Sequence, residues 1–171
     1  MVPGCVPEVM RSMNILSLEI QRMPKKFGVS FGDTSEYPYY SVCATGTHDT
    51  STLRGWWEED ARMTASFYHD VLHHEGETPA HCGPQLCGEI VRQHLESPSM
   101  LAILPLQDWL STDAGLSYAG DPADERINDP SVSRHYWRWR MHLALEDLLA
   151  ASNFNSRLRS LILASGRGSH L

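Results

Sequence analysis

The densest group of chemically capable side chains lies in residues 45–57, which read Thr-Gly-Thr-His-Asp-Thr-Ser-Thr-Leu-Arg-Gly-Trp-Trp. His48 and Asp49 stand together among small hydroxyl residues, and Trp56 follows a short distance downstream. A carboxylate can hydrogen-bond vicinal sugar hydroxyls and stabilise an oxocarbenium-like transition state, and an indole can stack on the apolar face of a pyranose. The segment therefore favours carbohydrate chemistry, with Asp49 and His48 as catalytic candidates and Trp56 as a substrate-binding candidate.

A purely structural interpretation of the same segment is equally open. Asp49 would then cap the helix that follows it, and Trp56 and Trp57 would be divided between core and surface. The spacing of these residues alone does not separate the two interpretations.

Three apolar runs are typical of buried parallel strands, which are covered by helices on both faces. They are residues 14–20, 39–44 and 100–106. Each run is followed by polar residues, and the third leads into Gln107 and Asp108. Because α/β enzymes carry their chemistry at the carboxyl ends of parallel strands, these polar residues are predicted to lie at or beside a site.

Helices are predicted between and after the strands, over residues 7–13, 50–72, 84–95, 135–150 and from 153 or 155 to about 165. Thr50, Ser51 or Thr52 could cap the second helix, and Pro84 suits the first turn of the third. A helix over residues 135–150 would place Trp137 and Trp139 on different faces, which predicts packing roles for both indoles.

The order of elements predicts one α/β domain covering residues 1–171. A complete (β/α)₈ barrel takes about 250 residues, so this chain has room for about three β/α units. Element order alone leaves open whether the domain is a small open sheet or the last part of a barrel.

Several motifs together resemble the 4-α-glucanotransferases of the amylomaltase type, glycoside hydrolase family 77. The run over residues 37–57, with Thr-His-Asp at its centre, is the most characteristic. The other matching segments, in chain order, are residues 19–24, 93–102, 104–108, 125–130 and 135–142. The resemblance is strongest to the eukaryotic cytosolic disproportionating enzymes of maltose metabolism. It covers nearly the whole chain.

This resemblance implies a fold and a set of residue roles. The chain would be the C-terminal portion, about three β/α units, of a (β/α)₈ TIM barrel that acts on α-glucans and maltose by a retaining double displacement. Asp49 would be the carboxylate that stabilises the transition state, and His48 would hydrogen-bond the donor sugar. Asn128 would lie near the acceptor, and Gln107 and Asp108 would support or contact substrate at the last barrel strand. No metal or cofactor is implied.

The sequence departs from the family pattern in one respect. The family's nucleophilic aspartate and its acid/base glutamate, which lies in a Glu-Asp-Leu-Gly motif, match no residue of this chain. We therefore expect the remainder of the barrel to be required for chemistry. The alternative is a non-catalytic fragment that binds glucan weakly at most.

Five of the nine histidines fall between residues 68 and 95, near Cys82 and Cys87. A metal-dependent hydrolase using this segment with His48 and Asp49 is a further alternative, although the spacing fits no standard zinc ligand pattern.

The composition excludes other classes of function. The net charge of -7, without a cluster of Lys and Arg, argues against binding to nucleic acid or an anionic membrane surface. No apolar run reaches the length of a membrane span. Only four cysteines and no visible signal peptide favour a cytoplasmic protein with reduced thiols.

Overall fold

The computed structural model describes residues 3–135 and 137–168. Its centre is a three-stranded parallel sheet of β1 (Ser17–Ile20), β2 (Ser41–Ala44) and β3 (Leu101–Ala102), with β2 in the middle. Ser17 pairs with Ser41, and Val42 pairs with Leu101. The predicted α/β class with parallel strands is therefore confirmed.

The third strand is shorter than predicted. Its pairing ends at Ala102, apart from one further backbone hydrogen bond from Ile103 to Cys43. Pro105 then acts as the N-cap of helix α5 (Leu106–Leu110), since proline has no N–H with which to continue the ladder. Gln107 and Asp108 consequently lie in the first turn of a helix and not at the end of a strand.

Seven α-helices surround the sheet in the described part of the chain. They are α1 (Val6–Ser12), α2 (Leu53–Glu59), α3 (Ala61–Ser66), α4 (Pro84–Glu96), α5, α6 (Leu145–Ala150) and α7 (Ser152–Ala164). Short 3₁₀ turns at Thr34–Glu36 and Pro122–Glu125 and a π-helical turn at Phe67–Val71 complete the regular structure. The predictions for α1, α4 and α7 are confirmed.

The single helix predicted over residues 50–72 is divided in the structure. Thr52 is the N-cap of α2, because its side chain accepts a hydrogen bond from the backbone N–H of Gly55. Asp60 leaves the helical conformation, with φ −146° and ψ 102°, and its carboxylate caps α3. A capping carboxylate thus ends one helix and begins the next.

The helix predicted over residues 135–150 is wrong for most of its length. Only Leu145–Ala150 is helical, and residues 137–144 form an irregular segment, here called the Trp137 segment. The predicted helix also included Tyr136, which lies outside the described residues. The imidazole of His142 donates to the carbonyl of Leu116, so a contact far along the chain holds this segment away from helical geometry.

The hydrophobic core lies among α2, α4 and the chain that joins them. Trp57, Phe67, Ile90 and Val91 are almost fully buried there, and the rings of Phe31 and Phe67 meet edge to face at 5.0 Å between centroids. Leu161 and Ile162 of α7 pack against the same core.

The sheet has an open edge on each side within the described residues, because β1 and β3 each pair with β2 alone. Large apolar side chains near these edges are exposed, among them Ile15, Leu18 and Ile103. None of the described helices is both long and apolar enough to cross a membrane.

Candidate functional site

A tightly held loop follows β2, and it carries two of the candidate residues. We call residues 45–52 the Asp49 loop. Arg22, just beyond the end of β1, is partly buried beneath it and donates to the carbonyl of Thr45 at 2.9 Å and to the hydroxyl of Thr50 at 3.2 Å. A further hydrogen bond goes to the carbonyl of Ser51. One guanidinium therefore binds the loop at its beginning and its end.

Asp108 holds the same loop from the side of α5. One carboxylate oxygen accepts from the hydroxyl of Thr45 at 2.5 Å, and the other accepts from the backbone N–H of Leu53 at 2.8 Å. The side chain is fully buried. Burial raises the pKa of Asp108, while the two hydrogen bonds and the charge of Arg22 act in the opposite direction.

Three residues predicted for the site are brought together at the tip of the loop. The Asp49 carboxylate accepts a hydrogen bond from the side-chain amide of Asn128 at 2.6 Å, and it lies 3.3 Å from Nε2 of His48. The backbone N–H of Asn128 donates to the carbonyl of His48 at 3.0 Å. The Asp49 and His48 side chains remain 47% and 53% exposed, so both can reach a ligand.

Arg126 joins the loop to the Asn128 side of the site. Its guanidinium donates to the carbonyl of Asp49 at 3.3 Å and to the carbonyl of Asn128 at 2.9 Å. It also lies 3.5 Å from the carboxylate of Asp129. Sequence reasoning placed Arg126 in a matching motif but gave it no role, because its partners are backbone carbonyls that no side-chain pattern reveals.

Asp49 does not cap the helix that follows, since Thr52 has that role. Its carboxylate instead accepts a hydrogen bond from the side-chain amide of Asn128 and remains half exposed. The structural interpretation of Asp49 as a helix cap is therefore wrong.

Trp56 is partly buried. Its ring meets that of Phe67 at 5.2 Å between centroids, and the guanidinium of Arg22 lies 5.5 Å from the indole centroid. The same indole lines an open cleft of about 280 Å³ together with Asp49 and Arg126. Trp56 thus serves both the core and one wall of the site.

Gln107 and Asp108 are brought next to the site but are buried. The amide of Gln107 donates to the carbonyl of Glu125 at 3.2 Å, and both carboxylate oxygens of Asp108 bond to the protein. This geometry fits the supporting role expected for the pair. It leaves neither side chain at the surface where a ligand would make contact.

Glu125 is a buried carboxyl behind the site. It lies 3.1 Å from the guanidinium of Arg54, and with His48 and Gln107 it lines a small cavity of about 30 Å³. Burial raises the pKa of Glu125 to about 7, and the charge of Arg54 opposes that shift. Sequence reasoning placed this residue in a loop and did not identify its burial.

Trp137 is the aromatic residue that sequence reasoning assigned incorrectly. It is 60% exposed, and its ring lies 5.0 Å from that of His48 with an angle of 41° between the planes. The expected packing role is therefore wrong. The available signal was its position nine residues after Asn128, in a segment rich in tryptophan, arginine and histidine.

Imidazoles of the histidine-rich segment lie within hydrogen-bond distance of single carboxylates. His74 lies 2.8 Å from Glu89, and His81 lies 2.8 Å from Glu58. His94 is buried, which lowers its pKa to about 4. Across residues 3–135 and 137–168, no three His, Cys, Asp or Glu side chains are grouped so that they could hold one metal ion.

Comparison with known proteins identifies the family. Residues 1–146 match glycoside hydrolase family 77, described as 4-α-glucanotransferase. The chain belongs to this family. The chain is 43% identical over 98% of its length to the 4-α-glucanotransferase DPE2 of rice, but it spans only 18% of that protein. It is 27% identical over 94% of its length to the 4-α-glucanotransferase of Chlamydia trachomatis, of which it spans 30%.

A solved structure shows the same fold. The amylomaltase from Streptococcus agalactiae in complex with acarbose matches with a TM-score of 0.71 and 20% sequence identity, over 99% of this chain and 31% of that enzyme. The chain thus spans less than a third of each of these three relatives.

Proposed function

We propose that this chain forms part of a 4-α-glucanotransferase that transfers glucosyl or maltosyl units between α-1,4-glucans, including maltose and starch-derived glucans. The observation that carries the proposal is the arrangement of Asp49, which is fixed by the amide of Asn128 yet remains half exposed beside His48. Membership of the 4-α-glucanotransferase family supports the same activity.

In the proposed mechanism, Asp49 hydrogen-bonds hydroxyls of the donor sugar and stabilises the positive charge that develops on its ring. Asn128 and the loop contacts of Arg22 and Arg126 hold the carboxylate in place before the reaction begins. A group that needs no reorganisation stabilises the transition state more than the ground state, which raises turnover. His48 binds the same sugar ring, and Asn128 lies toward the acceptor.

The nucleophile and the acid/base of the retaining reaction would come from the remainder of the barrel. Retention requires two carboxyl groups about 5–5.5 Å apart across the scissile bond. No residue of this sequence matches either of the family's motifs for those groups. Of the three carboxyl groups in the proposed mechanism, this chain therefore supplies only the one that stabilises the transition state.

The proposed fold is the C-terminal portion of a (β/α)₈ barrel, comprising about three β/α units. The parallel sheet with two open edges and the similarity to 31% of an amylomaltase support this proposal. Exposed apolar residues such as Ile15 and Leu18 near the β1 edge would be covered by the rest of the barrel.

A cytoplasmic location is also part of the proposal. All four cysteines are free thiols, as is usual in reducing compartments. The identity to the DPE2 enzyme of rice is 43%, compared with 27% for the chloroplastic/amyloplastic enzyme of potato.

A second candidate is a non-catalytic fragment that binds glucan weakly. The observation that favours it is the short span of the chain, only 18% of the rice protein. In that case Asp49 would contribute to binding without affecting any turnover.

The test is the Asp49→Asn variant in the intact protein. The amide keeps the shape of the side chain and can still accept from Asn128, so we expect the fold to persist. Loss of the charge should reduce glucan transfer by on the order of 10³-fold, the scale at which a transition-state contact acts. Transfer of glucosyl units from maltotriose measures turnover, and thermal unfolding checks the fold.

The matched control is Asp121→Asn. Asp121 is an exposed carboxylate that caps the 3₁₀ turn Pro122–Glu125 by accepting from the N–H of Ala123, which asparagine can also do. This variant should transfer glucosyl units at the wild-type rate. Near-normal turnover of Asp49→Asn would contradict the role proposed for Asp49.

A further inference from the structure

The Trp137 segment is attached beside the site at both ends. Just before it, Nε2 of His135 donates to the carbonyl of Ile127 at 2.9 Å, next to Asn128. Near its end, Nε2 of His142 donates to the carbonyl of Leu116 at 2.9 Å, and the imidazole lies 5.3 Å from the ring of Tyr118. These two attachments hold an irregular stretch of chain across the edge of the site.

Between these attachments the segment presents Trp137 to solvent. The other four tryptophans are buried or half-buried, whereas 60% of Trp137 is exposed. An indole exposed to that extent contributes little to the described core, and its flat face is open to a ligand. One side of it adjoins His48, at 5.0 Å between ring centroids.

The surroundings of this indole have the chemistry of a sugar site. His48 and Asp49 supply donors and acceptors for hydroxyl groups, and the amide of Asn128 fixes the carboxylate. A flat apolar face beside such groups complements a pyranose, whose C–H bonds form an apolar face and whose hydroxyls project from its rim. Neither a phosphate nor an acidic ligand would suit a half-exposed carboxylate.

We infer that Trp137 is a stacking platform for a glucose unit of the glucan, directly beside the unit that His48 and Asp49 bind. This inference rests on the proposed function and extends it to a binding residue outside the Asp49 loop. Trp137 adds affinity in the ground state and the transition state alike, so it acts on KM and leaves kcat almost unchanged. It also holds one side of the His48 ring.

The experiment compares three versions of the intact protein: wild type, Trp137→Leu and Trp137→Phe. Leucine is apolar but not flat, whereas phenylalanine keeps a flat face. We expect the leucine variant to raise KM for maltotriose roughly tenfold with kcat within about twofold, as loss of an aromatic contact would do. The phenylalanine variant should restore most of the affinity. Equal KM values for all three versions would overturn the inference.

A measurement on the unmodified protein avoids any question about folding of the variants. Oxidation of Trp137 by N-bromosuccinimide is followed by peptide mass spectrometry, with and without maltotriose. Maltotriose should protect Trp137 and leave the extent of oxidation of Trp109 unchanged. If Trp137 is oxidised slowly both with and without maltotriose, another part of the protein covers it. If it is oxidised rapidly under both conditions, no sugar stacks on it. Either result overturns the inference.

Failure of the inference is distinguishable from failure of the proposed function. If wild-type protein neither transfers glucosyl units nor binds maltotriose, the function itself is wrong. If the wild type is active, Asp49→Asn is inactive and Trp137→Leu has a wild-type KM, only the role of Trp137 is wrong.

Discussion

The Asp49 loop and the Trp137 segment meet at one site but are held in opposite ways. The loop is fixed from beneath by the partly buried side chain of Arg22 and the fully buried side chain of Asp108, which together bond to both of its ends. The Trp137 segment is attached by His135 and His142 to carbonyl groups near the surface. Several hydrogen bonds to buried or partly buried charged groups leave a loop few alternative conformations. A single hydrogen bond at the surface contributes little to stability.

In the proposed mechanism, this difference suits the two regions to different tasks. A carboxylate that stabilises a developing charge must already be in place, and the Asp49 loop meets that requirement. A platform that accepts successive sugar units along a polymer benefits from freedom to adjust. The site thus combines a rigid side with an adaptable side, and variants can test each separately.

The largest expected effect comes from breaking the rigid side at Asp108. In Asp108→Ala the hydroxyl of Thr45 and the N–H of Leu53 lose their acceptor in a buried position, and the nearby charge of Arg22 loses its counter-charge. We expect the free energy of unfolding to fall by about 3 kcal/mol, measured by urea unfolding of the intact protein.

Asp108→Asn is the matched variant. The amide oxygen can accept from Leu53, and the amide N–H₂ can donate to the hydroxyl of Thr45, so the loss should be only about 1 kcal/mol. Equal losses in the two variants would mean that the two hydrogen bonds do not hold the loop.

An effect of at most the same size, visible only as a pH dependence of stability, is expected from Glu125. Burial raises its pKa to about 7 from 4.5, against the attraction of Arg54 and with a further contribution from the charge of Asp108. Between these two pH values the folded protein keeps a proton that the unfolded chain has released. The stability that this provides is present at low pH and is lost as the pH rises through about 7.

Glu125→Gln removes this titration. The difference in free energy of unfolding between the variant and wild type should therefore shift steadily in favour of the variant from pH 4.5 to 7. The shift should be about 3 kcal/mol at most. Buried His94 gives stability that is lost as the pH falls toward about 4, but it contributes equally to both proteins and cancels from the difference. The exposed Glu77→Gln controls for removal of a carboxylate, and a flat difference curve for Glu125→Gln would contradict the prediction.

The smallest effect on stability is expected from releasing the adaptable side. His142→Ala removes one exposed hydrogen bond to Leu116 and a ring contact with Tyr118. The free energy of unfolding should change by less than about 1 kcal/mol, because exposed contacts of this kind contribute little. Amide hydrogen exchange in residues 137–144 should nevertheless become faster, as measured by mass spectrometry.

His142→Gln provides the comparison, because its amide can donate to the same carbonyl and should restore slow exchange. A loss of stability as large as that of Asp108→Ala would show that the two regions are held equally firmly.

The features that could be predicted from the sequence are those that a short stretch of residues determines by itself. The apolar runs gave the three parallel strands, and Pro84 gave the beginning of α4. Motifs of a known family assigned Asp49 and Asn128, far apart in the chain, to the same site, and the structure joins them by a hydrogen bond of 2.6 Å that the motifs did not predict.

Sequence reasoning failed where a distant contact overrides the local pattern. The composition of residues 135–150 suits a helix, but the described residues 137–144 are irregular, and His142 among them donates to the carbonyl of Leu116. Arg22 went unrecognised because its partners are backbone carbonyls about 23 to 29 residues away. No pattern of side-chain types reports such contacts, because every residue has a carbonyl.

The close packing around Gly46 limits which residues can occupy the neighbouring positions of the fold. A Cβ atom at this position would overlap the guanidinium of Arg22 and the hydroxyl of Thr50. Any larger residue at position 46 would therefore have to displace the ends of both side chains, and a change at position 22 alone would leave the overlap with Thr50. Loss of Arg22, in turn, leaves the carbonyls of the loop without their donor. Because Arg22, Gly46 and Thr50 share this space, the effects of substitutions at the three positions should be non-additive.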